Sequence, residues 1–368
     1  MLKPRVKVDI DLFFSKSFMV HLLLIMPLSI TSITKDEYGQ VAAEKVVFSQ
    51  STGWADLRAI NGYRSDYFAV YENKKIVGAF LVLIKTKRLF KLSITAAYLP
   101  RPSFFFAANR QEGISDILSF LKLRYHLVVV EYNYPHWIKD GPSDKGWQDT
   151  VAKQGKSAGY ITSNAHIQPD ASIIKFVGTN NIYDSLASKY ARRDARRGLR
   201  KSQELGMTFQ MHESLDDINL ERVEQLMELI AESRGFRTRN ASYLAAFQEN
   251  VPGVRWFTAE YKGQIISATA TIKDSYSNTD YSIYIGYQNP LPEEIYLTYT
   301  GRVYILETLQ KEGVGYYDQW GISEDPKSPL FKLSETKKRF GGDIVYYPKQ
   351  LIGSRIPGMK YLVKGLSI

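Results

Sequence analysis

The residues of this chain best suited to chemistry are cations and aromatics rather than nucleophiles. Residues 315–342 read GYYDQWGISEDPKSPLFKLSETKKRFGG, an aromatic strand, a glycine turn and a basic helix around the pair Phe331-Lys332. In a second group Lys189, Arg193, Arg196 and Arg200 recur at helical spacings, Arg192, Arg197 and Lys201 broaden the field, and Asp194 alone opposes them between Lys189 and Lys201. Such a stripe attracts a phosphate backbone with little need to read bases; a solvated helix bridging two domains is the other reading. A third group follows helix 220–234, whose Leu220, Val223, Leu226, Met227 and Ile230 form an apolar stripe belonging to the core. From its charged end Arg234, Arg237 and Arg239 lead to Tyr243, where guanidinium and ring together can grip an anion.

Other chemistries lack their residues. The chain has no cysteine, which excludes a disulfide scaffold, thiolate catalysis and sulfur-ligated zinc. His126, His136 and His166 are dispersed without metal-ligand spacing, and no serine sits in a G-x-S-x-G elbow. Neither G-x-G-x-x-G nor G-x-x-x-x-G-K-[ST] occurs, and no R/Q-x-x-G-x-G/A pyrophosphate loop marks an acetyl-coenzyme A enzyme. No metal and no cofactor is expected.

A chain of 368 residues with 44% hydrophobic and 23% charged residues supports two domains with real cores. Its net charge of +10 draws polyanions, whether tRNA, a nucleotide-linked substrate or an anionic bilayer. The apolar run in 18–30, preceded by Lys3, Arg5, Lys7 and Lys16, contains His21 and Pro27 and is shorter than the roughly 20 residues that span a bilayer. It reads as a buried strand or short core helix, as a weak membrane-surface anchor, or as an extension upstream of a start at Met26.

Two copies of one unit must position these groups. Residues 67–85 read as a strand, a polar turn and a second strand, with Lys74 and Lys75 in the turn; residues 256–273 repeat the pattern around Lys262 and Gly263. Strand 92–97, helix 114–123 and strand 127–131 follow the first copy; strand 281–287, helix 295–310 and strand 316–320 follow the second. Two α/β halves with mixed sheets and helices packed on them result, their apolar strands needing cover on both faces. The expected division is an N-terminal extension to 35, a first domain over 36–180, a basic linking helix over 181–206, and a second domain over 207–368 whose C-terminus packs onto the first. A doubly wound nucleotide-binding fold is the structural rival.

Several blocks, in order, resemble the FemABX family of aminoacyl-tRNA-dependent peptidoglycan interpeptide-bridge transferases. They are VVFSQSTGWADLRAINGY at 46–63, KYARRDARRGLRKSQELGMTF, ESRGFRTRNASYLAAF, YSIYIGYQ, and finally YYDQWGI, LFK and KRFGG, spread over 46–342. The resemblance implies an acetyltransferase-like (GNAT-like) fold used twice, and transfer of an amino acid from aminoacyl-tRNA to an amine of a UDP-linked or lipid-linked peptidoglycan precursor. It places the protein in the cytoplasm, with peripheral contact at the anionic inner membrane surface. No long coiled-coil arm of the kind some relatives carry is evident, which leaves the manner of tRNA engagement open.

The resemblance also implies roles. Phe331-Lys332 takes the place of the family's functional Phe-Lys pair, the ammonium holding the tRNA 3′ end or the oxyanion; a core phenylalanine beside a surface phosphate contact is the plainer reading. Arg58 faces the precursor's phosphates with Arg234 or Arg237 as companion and Tyr243 nearby, while Tyr284 bonds phosphate or peptide or simply packs in its sheet. Glu131 meets loosely an acidic position considered as a base; Asp318 orienting its turn, or proton transfer through water or substrate, are alternatives. Arg193, Arg196 and Arg200 are the expected tRNA contacts. A ligase acting on another peptide, and a non-catalytic tRNA- or membrane-binding protein, are the competing functions.

Overall fold

The computed structural model describes residues 28–89, 92–107, 110–133, 144–165, 167–216, 218–234, 238–291, 297–328 and 330–362. Arg237, His136, His166 and the apolar run up to Pro27 lie outside the described residues. Among those described, the chain forms two mixed sheets of seven strands. The first contains β1 (Ser29–Ile33), β2 (Arg64–Glu72), β3 (Lys75–Leu89), β4 (Leu92–Pro100), β5 (Leu127–Glu131) and β6 (Ile161–Ser163). The second contains β7 (Ala171–Phe176), β8 (Thr208–His212), β9 (Val254–Tyr261), β10 (Gln264–Asp274), β11 (Thr279–Tyr287), β12 (Tyr316–Gly321) and β13 (Asp343–Tyr346). The last strand, β14 (Gln350–Ser354), returns to the first sheet.

The sheets repeat one topology. Their orders are β1-β2-β3-β4-β5-β14-β6 and β8-β9-β10-β11-β12-β7-β13, reading the second from its β8 edge. β4 and β5 are parallel, as are β11 and β12. β14 then pairs antiparallel with both β5 and β6, as β7 does with both β12 and β13. Each sheet is thus completed by a strand from the other half of the sequence.

Alternation explains why both faces are covered. Phe80, Val82 and Ile84 of β3 join the core under helices Ile114–Arg124 and Asp144–Ser157, while Leu81 and Leu83 face the opposite core with Tyr38 and Tyr98. In the second sheet, Trp256 and Ala270 pack with helices Leu220–Arg234 and Ala241–Asn250; Phe257 and Tyr317 pack with helix Leu297–Lys311. Strands buried on both faces read as nearly continuous apolar runs.

The two hairpins turn on successive left-handed residues, Asn73-Lys74 (φ 51° and 64°) and Lys262-Gly263 (52° and 73°), a turn whose twist matches that of the strands. The first turn therefore lies one residue earlier than the sequence reading places it, because Lys75 already pairs with Glu72. The basic helix is also shorter than expected. It spans Lys189–Glu204 and begins where the Ser188 hydroxyl accepts the Ala191 N–H at 3.1 Å, a cap that fixes the helix start.

The opening F-S-Q-S block joins the sheets. Phe48 N–H donates to Asp274 Oδ2 at 2.9 Å, and its ring packs 5.0 Å from that of Tyr281. Gln50 donates to Pro100 O and accepts from Leu81 N–H, both at 2.8 Å. Ser51 caps helix Thr52–Ala59. There Gly53 meets the Asn250 backbone so closely that a side chain has no room.

Candidate active site and substrate surfaces

The parallel strands β11 and β12 share register only over Thr279–Tyr281 and Tyr316–Asp318. Beyond that point β11 continues beside β10 and β12 beside β7, so the middle of the second sheet parts. At this place the β12 backbone is irregular: its pairing with β7 shifts between Asp318 and Gly321, and Trp320 is left-handed with φ 60°.

A buried polar network holds that bend. Asp318 is fully buried, and its carboxylate accepts from the Ser172 hydroxyl, from Trp320 N–H at 2.7 Å and from the Tyr347 hydroxyl at 3.3 Å. The Arg101 guanidinium lies 4.8 Å from the Trp320 ring and 3.8 Å from that of Tyr347, and donates to Pro169 O at 3.3 Å. Its Nη1 is buried with no hydrogen-bond partner among the described residues.

Lys337 comes up against the same bend. It lies on helix Phe331–Arg339, is 6% exposed, and donates to Trp320 O at 3.0 Å and Gly321 O at 2.7 Å. Burial pushes its pKa down to about 7, the Arg302 charge pushes the same way, and Asp318 opposes them. Arg302 donates to Gln319 Oε1 at 3.0 Å and lies over the Phe340 ring. An ammonium has three N–H donors, and among the described residues two of them are held by these carbonyls.

Phe331 and Lys332 start the same helix. Phe331 is half-buried and Lys332 exposed; among the described residues no contact joins the Lys332 ammonium to the β12 bend. Glu131 is 3% exposed and accepts from the Tyr98 hydroxyl and Ile167 N–H, both at 2.5 Å, and from Gln168 N–H at 3.2 Å. So many donors hold the Glu131 side chain in place.

A separate hollow of about 410 Å³ is lined by Ile60, Asn61, Thr238, Arg239, Ser242 and Tyr243, among others. Arg58 sits one turn before Asn61, its guanidinium 4.8 Å from the Tyr63 ring. Among the described residues, buried Arg58 Nε, Asn61 Nδ2 and Thr238 Oγ1 have no hydrogen-bond partner. Arg239 lies 4.8 Å from the Tyr243 ring, which meets Tyr284 edge-on at 6.5 Å. Burial, with Tyr243 adding to it, pushes the Tyr284 phenol well up, so it stays a donor. The structure thus brings Arg58, Tyr243 and Tyr284 into one region. Arg234 ends helix Leu220–Arg234, leading toward that region.

Helix Lys189–Glu204 buries Ala191, Ala195, Gly198 and Ser202 and exposes Arg193, Arg196, Arg197 and Arg200. Arg193 pairs with Asp194 at 3.0 Å, Arg196 with Asp184 at 3.2 Å and Arg200 with Glu204 at 3.8 Å. Exposed pairs of this kind are weak and exchange readily for phosphate.

Sequence reading singles out neither Lys337, Arg101 nor Arg302, and it prefers Arg234 or Arg237 to Arg239. For Lys337 the signal is slight: it shares a helical face with Phe340, which is buried, but a lysine stem can lie along such a face with its amine in water. Arg101 and Arg302 carry no such signal, because the strand bend that they serve is created by long-range pairing.

No family model matches this chain. A lipid II:glycine glycyltransferase from Staphylococcus aureus (strain bovine RF122 / ET3-1) is 29% identical over 202 residues, covering 53% of this chain and 45% of the relative. The chain spans about half the length of the curated relatives it matches. The crystal structure of FemX superposes with a TM-score of 0.71 at 15% identity, covering 91% of this chain and all of that one. A tandem GNAT protein from the clavulanic acid biosynthesis pathway gives 0.51 at 12% identity, covering 90% of this chain and 100% of that chain. The resemblance to the FemABX family is borne out, and the fold is a duplicated GNAT-like one.

Proposed function

We propose that this protein transfers an amino acid from aminoacyl-tRNA to an amine on the peptide of a peptidoglycan precursor. The observation that carries the reading is Lys337, a buried amine held by two carbonyls where the second sheet parts. The curated relatives named as acting on lipid II support the precursor as acceptor; the basic helix supports tRNA as donor.

An aminoacyl ester is already activated, so the protein needs no covalent intermediate. The acceptor nitrogen attacks the ester carbonyl carbon, and negative charge develops on the carbonyl oxygen. Lys337 offers that oxygen its third N–H, an interaction strongest when the charge is greatest. Collapse breaks the carbon–oxygen bond to the tRNA ribose; the proton lost by the nitrogen ends on the ribose hydroxyl through solvent or substrate. We place Asp318 and Arg101 as holders of the bend, and Glu131 as a holder of the 167–168 backbone rather than a base. Lys332, with Phe331 behind it, meets the tRNA acceptor end at the exposed helix start.

The precursor's phosphates fit the hollow, where Arg58 and Arg239 supply charge and Tyr243 and Tyr284 supply ring and hydroxyl. The test supplies charged tRNAs with UDP-linked and lipid-linked precursors and follows the acceptor's mass. Gain of one amino-acid residue, dependent on charged tRNA, is expected. Full activity with free amino acid and ATP but no tRNA would overturn the donor, and transfer only to a peptide lacking sugar-phosphate would overturn the acceptor.

A further inference from the structure

The proposed chemistry leaves one exposed surface unused, at the end of the first sheet where β5 begins. From Leu127 to Glu131 the strand carries that surface about 13 Å away from the Glu131 end. Leu123 is 73% exposed and Tyr361 63% exposed. They come from distant segments, the last turn of helix Ile114–Arg124 and the short helix Met359–Leu362.

Hydrogen bonds tie these segments together. Arg355 Nη1 donates to Leu123 O at 3.3 Å. Lys122 donates to Ala158 O, and Lys360 donates at 2.9 Å to the next carbonyl, that of Gly159. The two exposed side chains therefore share their segments with Lys122, Arg124, Arg355 and Lys360. Asp66 lies 3.9 Å from Arg124; among the described residues, Lys122, Arg355 and Lys360 have no salt-bridge partner. His126 stays neutral beside them, since burial and the Arg355 charge both push its pKa down.

We propose that this patch seats the protein on an anionic phospholipid bilayer. Leucine gains from burial below the headgroups, tyrosine suits the interface with its ring inward and hydroxyl outward, and the cations meet lipid phosphates. The same cations and the Tyr361 ring would suit RNA, but Leu123, the more exposed of the two, offers a nucleobase no stacking face. The patch is distinct from helix Lys189–Glu204 and does not depend on the proposed reaction.

The test uses the full chain and co-sedimentation with vesicles of phosphatidylcholine, alone or mixed with phosphatidylglycerol. Wild type binds the mixed vesicles preferentially. Leu123→Ser with Tyr361→Ser, and Arg355→Gln with Lys360→Gln, each weaken that binding about tenfold, with folding checked by circular dichroism. Neutralising Arg193, Arg196 and Arg200 weakens it less than either double variant does. Hydrogen exchange on wild type, which requires no variant to fold, slows at 121–126 and 355–361 when mixed vesicles are added. Wild-type indifference to phosphatidylglycerol, unchanged binding by both double variants, or unchanged exchange overturns the proposal. Loss of tRNA affinity with vesicle binding retained overturns it in favour of a nucleic acid.

Discussion

At the scale of single residues, Lys337 makes the sharpest demand. Removing a donor aimed at a developing oxyanion costs roughly 10²–10³-fold in kcat, so Lys337→Met should lose turnover on that scale while KM for either substrate changes little. Its titration gives a second readout. Burial lowers the pKa to about 7, so the charged form needed in the free protein predominates below that value and disappears above it. The descending limb of kcat/KM should therefore bend near pH 7, and Lys337→Arg, whose guanidinium stays charged, should lack that bend whatever its absolute rate. A limb that instead rises through pH 7 for wild type alone would make the neutral amine the working form. In the hollow, Arg239→Ala removes charge from beside Tyr243 and Tyr284; KM for the precursor should rise about tenfold with kcat nearly held, the signature of lost uniform binding. Unchanged KM would remove Arg239 from the phosphate site. The residue types at both places are legible in sequence, but the choice among neighbours is not. Lys332 and Lys337 differ by five positions on one helix, and only packing against β12 tells which amine is buried.

At the scale of elements, helix Lys189–Glu204 divides its work between two faces. Ala191, Ala195, Gly198 and Ser202 bring it close to helix Leu297–Lys311, and the opposite face carries Arg193, Arg196 and Arg200. Neutralising these three together should weaken tRNA binding and flatten its salt dependence, by a slope of about 0.7–0.9 for each phosphate that the helix ceases to neutralise. Binding measured over several salt concentrations checks this; an unchanged slope returns the helix to a solvated interdomain role. The hairpins, the long helices and the basic stripe can be read from sequence because their signals are local: period, caps and turn residues. The start at Ser188 is masked in sequence by the loop before it, which is polar as well. The Trp320 bend is not readable at all, being imposed where β12 leaves β11 to follow β7.

At the scale of the whole molecule, the exchange of β7 and β14 makes the two sheets depend on one another. β14 fills the place between β5 and β6, so a chain ending before Gln350 should lose the pairing of the first sheet and fold poorly, even though its own first 180 residues are intact. Urea unfolding of the full chain should give coincident transitions by tryptophan fluorescence and far-ultraviolet circular dichroism; two separated transitions would show that the sheets are independent. Repeated motifs reveal the duplication, but the crossing strands do not announce themselves, since both are short apolar runs with no preference for either sheet. Arg101, the residue after β4 of the first sheet, also lies against Trp320 of the second, setting the proposed reaction centre where the halves meet. The account is tested most directly by mixing the full-length protein with charged tRNA and a lipid-linked precursor and reading the acceptor's mass over time. It predicts a gain of one amino-acid residue that requires charged tRNA and slows at least about 10²-fold in folded Lys337→Met; a gain without tRNA, or an undiminished rate in that variant, would contradict it.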